Sequence, residues 1–525
     1  TCALPIFKQA LFAKMEPLLG AQTVLASNTS GLPIGKLMAG RSADMRRRFL
    51  VTHFFNPVRY MRLLELVSGE ETDPEVLSQV AEFGETQLGK GIVYGKDTTN
   101  FVANRIGIYG MMGLIAEALA AGFTVEEVDA IFGPPLGRPK SAVFRTADMV
   151  GLDTVIDVAQ NCYDNLIHDE SRQTFATPEV IREMVRRGYK GDKTGKGFYQ
   201  KTKEGLLVLD LNTLEYRAQQ KARFESLGAA KSLTDVGERV KSVLAGTDRA
   251  AQLAWKATAL LFSYSSRRIG PRSEADGNQN DAPIADDLFQ VDRAMRWGYG
   301  WEMGPFEMWD TVGVKASVER MEQSGIRPAQ WVYDMLSAGR SSFYSGEPGQ
   351  KVYYDLTAKK EAALPKSPRE LPLAGLSAQG LVIDKNDGAR LIDLHQTASV
   401  HHADPGGERH RLFLVVRDVD DGGAQLAVDA LDLQLHVLAQ LLVQRAQRLV
   451  QQQQLRLLGQ AARQRHALLL AAGKLVRLAL GELAQLHQLE HRLDAVGHLL
   501  LGQPVAAQAE GDVVPDAQVR EERVA

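Results

Sequence analysis

The chain has 525 residues, 45% hydrophobic and 24% charged, and 61 basic against 64 acidic side chains leave a net charge of −3. At about 100 to 200 residues per domain this length predicts three or four domains, and the balanced charge excludes the basic surface that nucleic acid requires. Cys2 and Cys162 are its two cysteines, too few for a disulfide framework or structural zinc, and no apolar run reaches the roughly 18 residues of a membrane span, so a reducing, cytoplasmic setting is expected.

The sequence opens at Thr1, and TCALPI over 1–6 reads as a library scar, so the chain is expected to be a fragment. Residues 7–19 carry Phe7, Leu11, Phe12, Met15, Leu18 and Leu19 at helical spacing, with Gly20 where a cap would stand. TVLAS (23–27), FLVTHFF (49–55) and LLELVSG (63–69) predict strands of an α/β sheet. A helical pattern begins near 97, and GFTVEEVDAIF (122–132) has the Thr and early Glu residues of a capped helix. FGPPLGRPKSAVFRTADMVGLDTV (132–155) is echoed by YGWEMGPFEMWDTVGVKASV (299–318), which predicts two related helical domains, 97–204 and 205–340. GYKGDKTGKGFYQK (188–201) reads as a Lys- and Gly-rich surface segment and GPRSEADGNQNDAPIADD (270–287) as an exposed insertion.

From His395 the composition changes. Residues 395–525 contain no Ile, Met, Asn, Tyr, Trp or Cys, yet hold nine of the eleven histidines. That restricted alphabet cannot furnish a core. Out-of-frame or antisense translation of GC-rich DNA accounts for this aberrant tail better than the amphipathic helix that LDLQLHVLAQLLVQRAQRLVQQQQLRLLGQ could form. Its histidines are not read as ligands, and no metal site is expected.

Among the first 394 residues the histidines are His53 and His168. His168, in NLIHDES, has a solvated setting. His53 lies within FLVTHFFNP and Glu65 within the next apolar run. If the two runs pair antiparallel about Arg59, these residues face each other with Cβ atoms about 4.5–5.5 Å apart. A carboxylate beside an imidazole fixes its tautomer and favours its charged form, which suits the oxidation of an alcohol; the same pair also reads as a buried histidine satisfied for stability. Taken alone, Ser30 reads as the cap of a helix starting at GLPIGKL, Asn104 as a helix-surface residue, Asn56 as a turn former and Lys8 as a solvated lysine.

SNTS (27–30), HFFNP (53–57), LLELV (63–67) and NFVANR (100–105), in this order and spacing, resemble the 3-hydroxyacyl-CoA dehydrogenase family of fatty-acid β-oxidation, including the dehydrogenase part of its hydratase-fused, multifunctional members. The resemblance covers 7–394. It implies an α/β fold followed by all-α: a partial Rossmann-type NAD-binding domain over 1–96, then the two helical domains. It further implies NAD as cofactor and an acyl-CoA substrate, with His53 as the base that takes the 3-hydroxyl proton and Glu65 orienting it. Ser30 and Asn104 would contact substrate, and Lys8, Ser30 and Asn56 would lie at the nicotinamide.

KDTTNF stands where many relatives have a Thr-Pro-Gly run. Ahead of Phe7 the sequence given holds no strand, G-x-G-x-x-G turn or acidic ribose ligand, so weak NAD binding is expected. Residues 341–394 read as a linker and, in LAGLSAQGLVIDKNDGARLIDL (373–394), the entrance to an enoyl-CoA hydratase-like domain, with no hydratase activity expected. The duplicated helical domains suggest self-association, an internal pair that mimics a dimer, or docking in a β-oxidation complex. Two rival readings are a non-enzymatic binding relative and an interaction protein acting through the Leu/Gln-rich tail.

Overall fold

The computed structural model describes residues 5–203, 205–270, 282–347 and 350–366, and the backbone of the strands Val382–Lys385, Ala389–Asp393 and Phe413–Arg417. Residues 1–4, the 271–281 part of the polar insertion and, apart from that last strand, the tail from His395 lie outside the described residues.

Four strands, β1 (Leu25–Ser27), β2 (Phe49–Phe54), β3 (Leu63–Ser68) and β4 (Gly91–Gly95), form one sheet in that order. The outer pairs are parallel and β2–β3 is antiparallel. β4 is additional to the three strands predicted; GIVYG is a short run with glycine at both ends and does not stand out as a strand. A parallel partner needs a crossover, supplied by the helix Pro74–Thr86, which Asp73 caps at the Glu75 amide. Alternation along the strands sends Leu50, Leu64 and Leu66 under that helix and Val51 and Val67 to the opposite face with Phe49 and Phe101. The first helix, Pro5–Met15, is shorter than expected. Pro17 lacks the N–H needed to continue it, a 3₁₀ turn follows at Glu16–Leu18, and Gly20 is not among the residues with positive φ.

Beyond the sheet the helix Ala103–Ala120 leads the helical part, and the Val125–Ile131 helix carries the expected capping box between Thr124 and Glu127. The sequence echo is repeated in hydrogen bonds. Asp129 accepts from the amides of Val143, Phe144 and Arg145 and from the Tyr199 hydroxyl, while Asp148 accepts from the Phe198 and Tyr199 amides. In the second half Asp292 accepts from the Phe306 and Glu307 amides and the Tyr344 hydroxyl, and Asp310 from the Phe343 and Tyr344 amides. Each half therefore latches a helix start and a strand start with two buried or half-buried aspartates.

These strand starts mean that the helical part is not purely α. Tyr199–Thr202, Gly205–Leu209 and Tyr216–Ala218 form one small antiparallel sheet, and Tyr344–Ser345, Val352–Asp355 and Lys360–Ala363 another. The Lys- and Gly-rich segment is exposed only in part, because Asp148 draws Phe198 and Tyr199 into the core. Within the polar insertion, Ile284 and Ala285 are buried and the Ile284 carbonyl accepts from the Lys96 amide. The core of the second half also runs past 340, through Phe343, Tyr353, Tyr354 and Leu356.

One continuous core spans both helical halves and reaches Leu63 and Val93 of the sheet. The Leu288–Tyr299 helix of the second half makes that junction: Gln290 Oε1 accepts from the Tyr94 amide, and Trp297 stacks beneath the Arg62 guanidinium at 4.5 Å. A Cβ on Gly91 would sit 2.5 Å from the Trp297 ring, so only glycine lets the helix approach β4 this closely. Among the described residues no helix is long and apolar enough to cross a membrane.

Candidate active site

β2 and β3 pair with His53 directly opposite Glu65, the register that the midpoint at Arg59 predicts. His53 Nδ1 and Glu65 Oε2 are 2.6 Å apart. The other carboxylate oxygen accepts from the amides of Val102 (3.1 Å) and Ala103 (2.7 Å), at the start of the Ala103–Ala120 helix. Glu65 is thus a fully buried carboxylate with two amide donors on one oxygen and the imidazole against the other, and the positive end of the helix adds to its stabilisation. His53 keeps 8% of its side chain exposed where Glu65 keeps none, so of the two only the imidazole can meet a substrate. Phe55 and Phe101 approach the ring edge-on, with centroids 4.7 and 5.7 Å away.

A left-handed turn delivers the two amides. Asn100 (φ 63°) and Phe101 (φ 48°) both occupy that region, at a cost of about 1–3 kcal/mol for each such residue. Asn100 anchors the turn: its Nδ2 donates to the Val158 carbonyl and to Cys162 Sγ, and its Oδ1 accepts from Asn161 Nδ2. Arg105, one helical step on, has no exposed surface. It donates to Asp169 at 2.6 Å and to the Tyr264 hydroxyl at 2.5 Å, while Arg268, also fully buried, donates to the same Asp169 oxygen at 3.2 Å. Burial alone would raise the Asp169 carboxyl, but Arg268 and Arg105 hold it below the usual carboxylate range. Neither this cluster nor the Asn100 anchor was legible beforehand as part of the site; the NFVANR motif containing Asn100 and Arg105 was its one local signal.

The remaining candidates gather at the carboxyl ends of β1 and β2. Asn104, half-buried in the first turn of its helix, accepts at Oδ1 from the Tyr299 hydroxyl at 3.4 Å, so it is not a plain surface residue. Ser30 is exposed in the loop after β1 and caps no helix; the Ile34 amide instead donates to both oxygens of Asp97, at 3.0 and 2.9 Å. Asn56 is exposed at the end of β2, before a cis peptide to Pro57. Asn28 joins the strand ends by accepting from the Phe54 amide at 2.9 Å. Lys8 donates to Ser27 Oγ at 3.0 Å, and burial lowers its ammonium pKa. His168 is exposed, as expected.

These positions fit one end of a dinucleotide. In an open α/β sheet the ligand lies beyond the carboxyl ends of the strands, which is where Ser30 and Asn56 present exposed polar side chains and where the partly desolvated Lys8 bonds to a hydroxyl. A Gly-rich turn for the pyrophosphate is absent among the described residues.

Comparison with known proteins gives two family matches. The NAD binding domain of 3-hydroxyacyl-CoA dehydrogenase matches residues 5–98. Its C-terminal domain matches residues 101–201 and 285–352. A Bacillus subtilis protein named "Probable 3-hydroxyacyl-CoA dehydrogenase" is 42% identical over 387 residues, covering 74% of this chain and 47% of that protein. A Deinococcus radiodurans protein of the same name is 44% identical over 197 residues, 38% of this chain and 56% of that protein. A 3-hydroxybutyryl-CoA dehydrogenase of Mycobacterium tuberculosis is 35% identical over 193 residues, 37% of this chain and 65% of that protein. The chain thus spans about half the length of the curated relatives it matches first. With an NAD-binding domain followed by its helical partner matched in order along one continuous core, this chain belongs to the 3-hydroxyacyl-CoA dehydrogenase family.

Proposed function

We propose that the protein oxidises an L-3-hydroxyacyl-CoA to the 3-oxoacyl-CoA in fatty-acid β-oxidation, with NAD as cofactor. The carrying observation is the 2.6 Å contact between His53 Nδ1 and a Glu65 carboxylate whose other oxygen is held by two backbone amides. With its Nδ1 proton donated to Glu65, the imidazole offers the lone pair of Nε2 to the 3-hydroxyl proton of the substrate. As that proton arrives, the buried carboxylate stabilises the imidazolium. Ser30 and Asn104 hold substrate oxygens, and Lys8, Ser30 and Asn56 hold the nicotinamide end of the cofactor. When bound, the nicotinamide supplies the hydride acceptor. A composition with two cysteines, of which Cys162 is buried, supports a reducing, cytoplasmic setting. The duplicated helical halves support either self-association or a place in a larger β-oxidation assembly.

The test is NADH oxidation by the full chain with acetoacetyl-CoA, the reaction run in reverse, with His53→Gln as control. Turnover that falls by about 10²- to 10⁴-fold in the variant is expected of a lost general base. Turnover indifferent to the substitution, or none in the parent chain, overturns the reading.

A further inference from the structure

The second helical half reaches Asn104 through Tyr299. Tyr299 ends the Leu288–Tyr299 helix, 195 positions from Asn104 in sequence, and its hydroxyl lies 3.4 Å from Asn104 Oδ1. That is long for an O–H···O bond, as hydrogen bonds in unliganded sites often are before substrate tightens them. The ring is fixed from two sides: Phe55, which borders His53, has its centroid 6.3 Å away, and Gly107 of the Ala103–Ala120 helix leaves the space that the ring fills. A Cβ at Gly107 would fall 2.2 Å from Tyr299 Cζ.

The direction of the Tyr299–Asn104 bond follows from what surrounds it. Burial, then the neighbouring Glu65 and Cys162, raise the Tyr299 phenol well above its ordinary value, so it keeps its proton. Asn104 Oδ1 is the acceptor within reach. An amide that accepts at its oxygen turns its Nδ2 the other way.

We infer that Tyr299 is a positioning residue for the reaction: its hydroxyl fixes the Asn104 amide with the NH₂ group presented to the oxygen of the bound acyl-CoA. This rests on the proposed dehydrogenase reading and deepens it. The half of the chain without a nucleotide-binding sheet of its own thereby completes the site of the other half. A donor held in place before the substrate arrives does not have to be ordered during the reaction. Ground state and developing charge are bound unequally by such a group, so its loss acts on kcat more than on KM.

The experiment compares the full chain with Tyr299→Phe, Asn104→Ala and the double variant, using acetoacetyl-CoA and NADH. Tyr299→Phe keeps the ring that fills the space over Gly107, and its thermal midpoint is expected to match the parent. Its kcat is expected to fall about tenfold with KM changed less than about threefold, the size of one lost transition-state hydrogen bond. In the Asn104→Ala background the same change is expected to cost nothing more, because the group it positions is gone. A merely structural tyrosine would give losses that multiply, and that outcome, or a Tyr299→Phe enzyme within about twofold of the parent, overturns the inference. If the parent chain shows no turnover, the dehydrogenase reading fails separately. The Asn104 side-chain amide is then read directly by ¹⁵N NMR, its resonance pair assigned by its loss in Asn104→Ala: a pair that shifts in Tyr299→Phe sustains the positioning role and an unmoved pair removes it.

Discussion

Glu65 and Ala103 are 38 positions apart, yet the Ala103 amide donates to Glu65 Oε1 at 2.7 Å. The carboxylate is thereby held in the sheet domain by the first turn of the helical part. Glu65→Gln keeps the shape and replaces an acceptor oxygen with a donor. With its oxygen kept on the Val102 and Ala103 amides, the new NH₂ group faces His53 Nδ1 and selects the imidazole tautomer whose Nε2 carries the proton and has no lone pair for the substrate. The expected result is a loss of about 1 kcal/mol of stability, as hydrogen bonds to a charged group become neutral ones, and a fall in turnover of about a hundredfold or more. Thermal denaturation and NADH oxidation measure the two effects, and a variant that keeps the parent's turnover would mean that Glu65 does not set the imidazole tautomer.

Gly107→Ala separates helix propensity from packing. In an open helix alanine would stabilise by about 1 kcal/mol. Here its Cβ would fall 2.2 Å from Tyr299 Cζ, and overpacking of that kind costs about 1–3 kcal/mol. Net destabilisation is expected, relieved in a Gly107→Ala/Tyr299→Leu double variant. A stabilised single variant would show that the ring is free to move aside.

Asp169 serves two buried guanidinium groups at once, those of Arg105 and Arg268. Asp169→Asn removes the carboxylate that both share, while Arg268 keeps its pair with Glu170 at 2.8 and 2.6 Å. Breaking a buried pair from one side costs about 3–5 kcal/mol, so a midpoint in urea that moves by less than a third of the total would contradict the geometry. Arg105 sits beside Asn104, and activity is expected to fall before the chain unfolds.

The duplicated aspartates predict a pH dependence. Burial pushes Asp148 and Asp310 up to about 7, against the pull of the amides each accepts from; in the unfolded chain each titrates near 3.8. Folding therefore favours their protonated forms. Their contribution to stability is full below about pH 4 and lost as pH rises to about 7, with no further change from them above it. The thermal midpoint is expected to fall between about pH 5 and pH 7.5, and the Asp148→Asn/Asp310→Asn double variant to flatten that slope. An unaltered slope would assign the dependence elsewhere.

How much of this was legible in the sequence depends on the range of the contact. The His53–Glu65 pair could be read because strand alternation and a turn midpoint are local properties, and the capped helix at Thr124 because its box spans four residues. Ser30 looked like a cap because the true acceptor, Asp97, is 63 positions from the Ile34 amide it serves. Tyr299 and Tyr264 reach the site from 195 and 159 positions away, and no periodicity encodes such partners. Ile284 and Ala285 were hidden by the polar residues around them, although burial needs only two apolar side chains and one backbone bond.

Residues 138–142 lie between Gly137 and Val143, whereas in the second half Gly304 is followed directly by Pro305. Two identical subunits could not differ in this way, since any change would appear in both. Once joined in one polypeptide, each copy is free to drift. One has kept the helix start that grips Glu65; the other has lent an aromatic edge to its sister. A substitution in the second copy therefore perturbs a single pocket from outside, so that its substrate preference can be altered without touching the groups that move the proton.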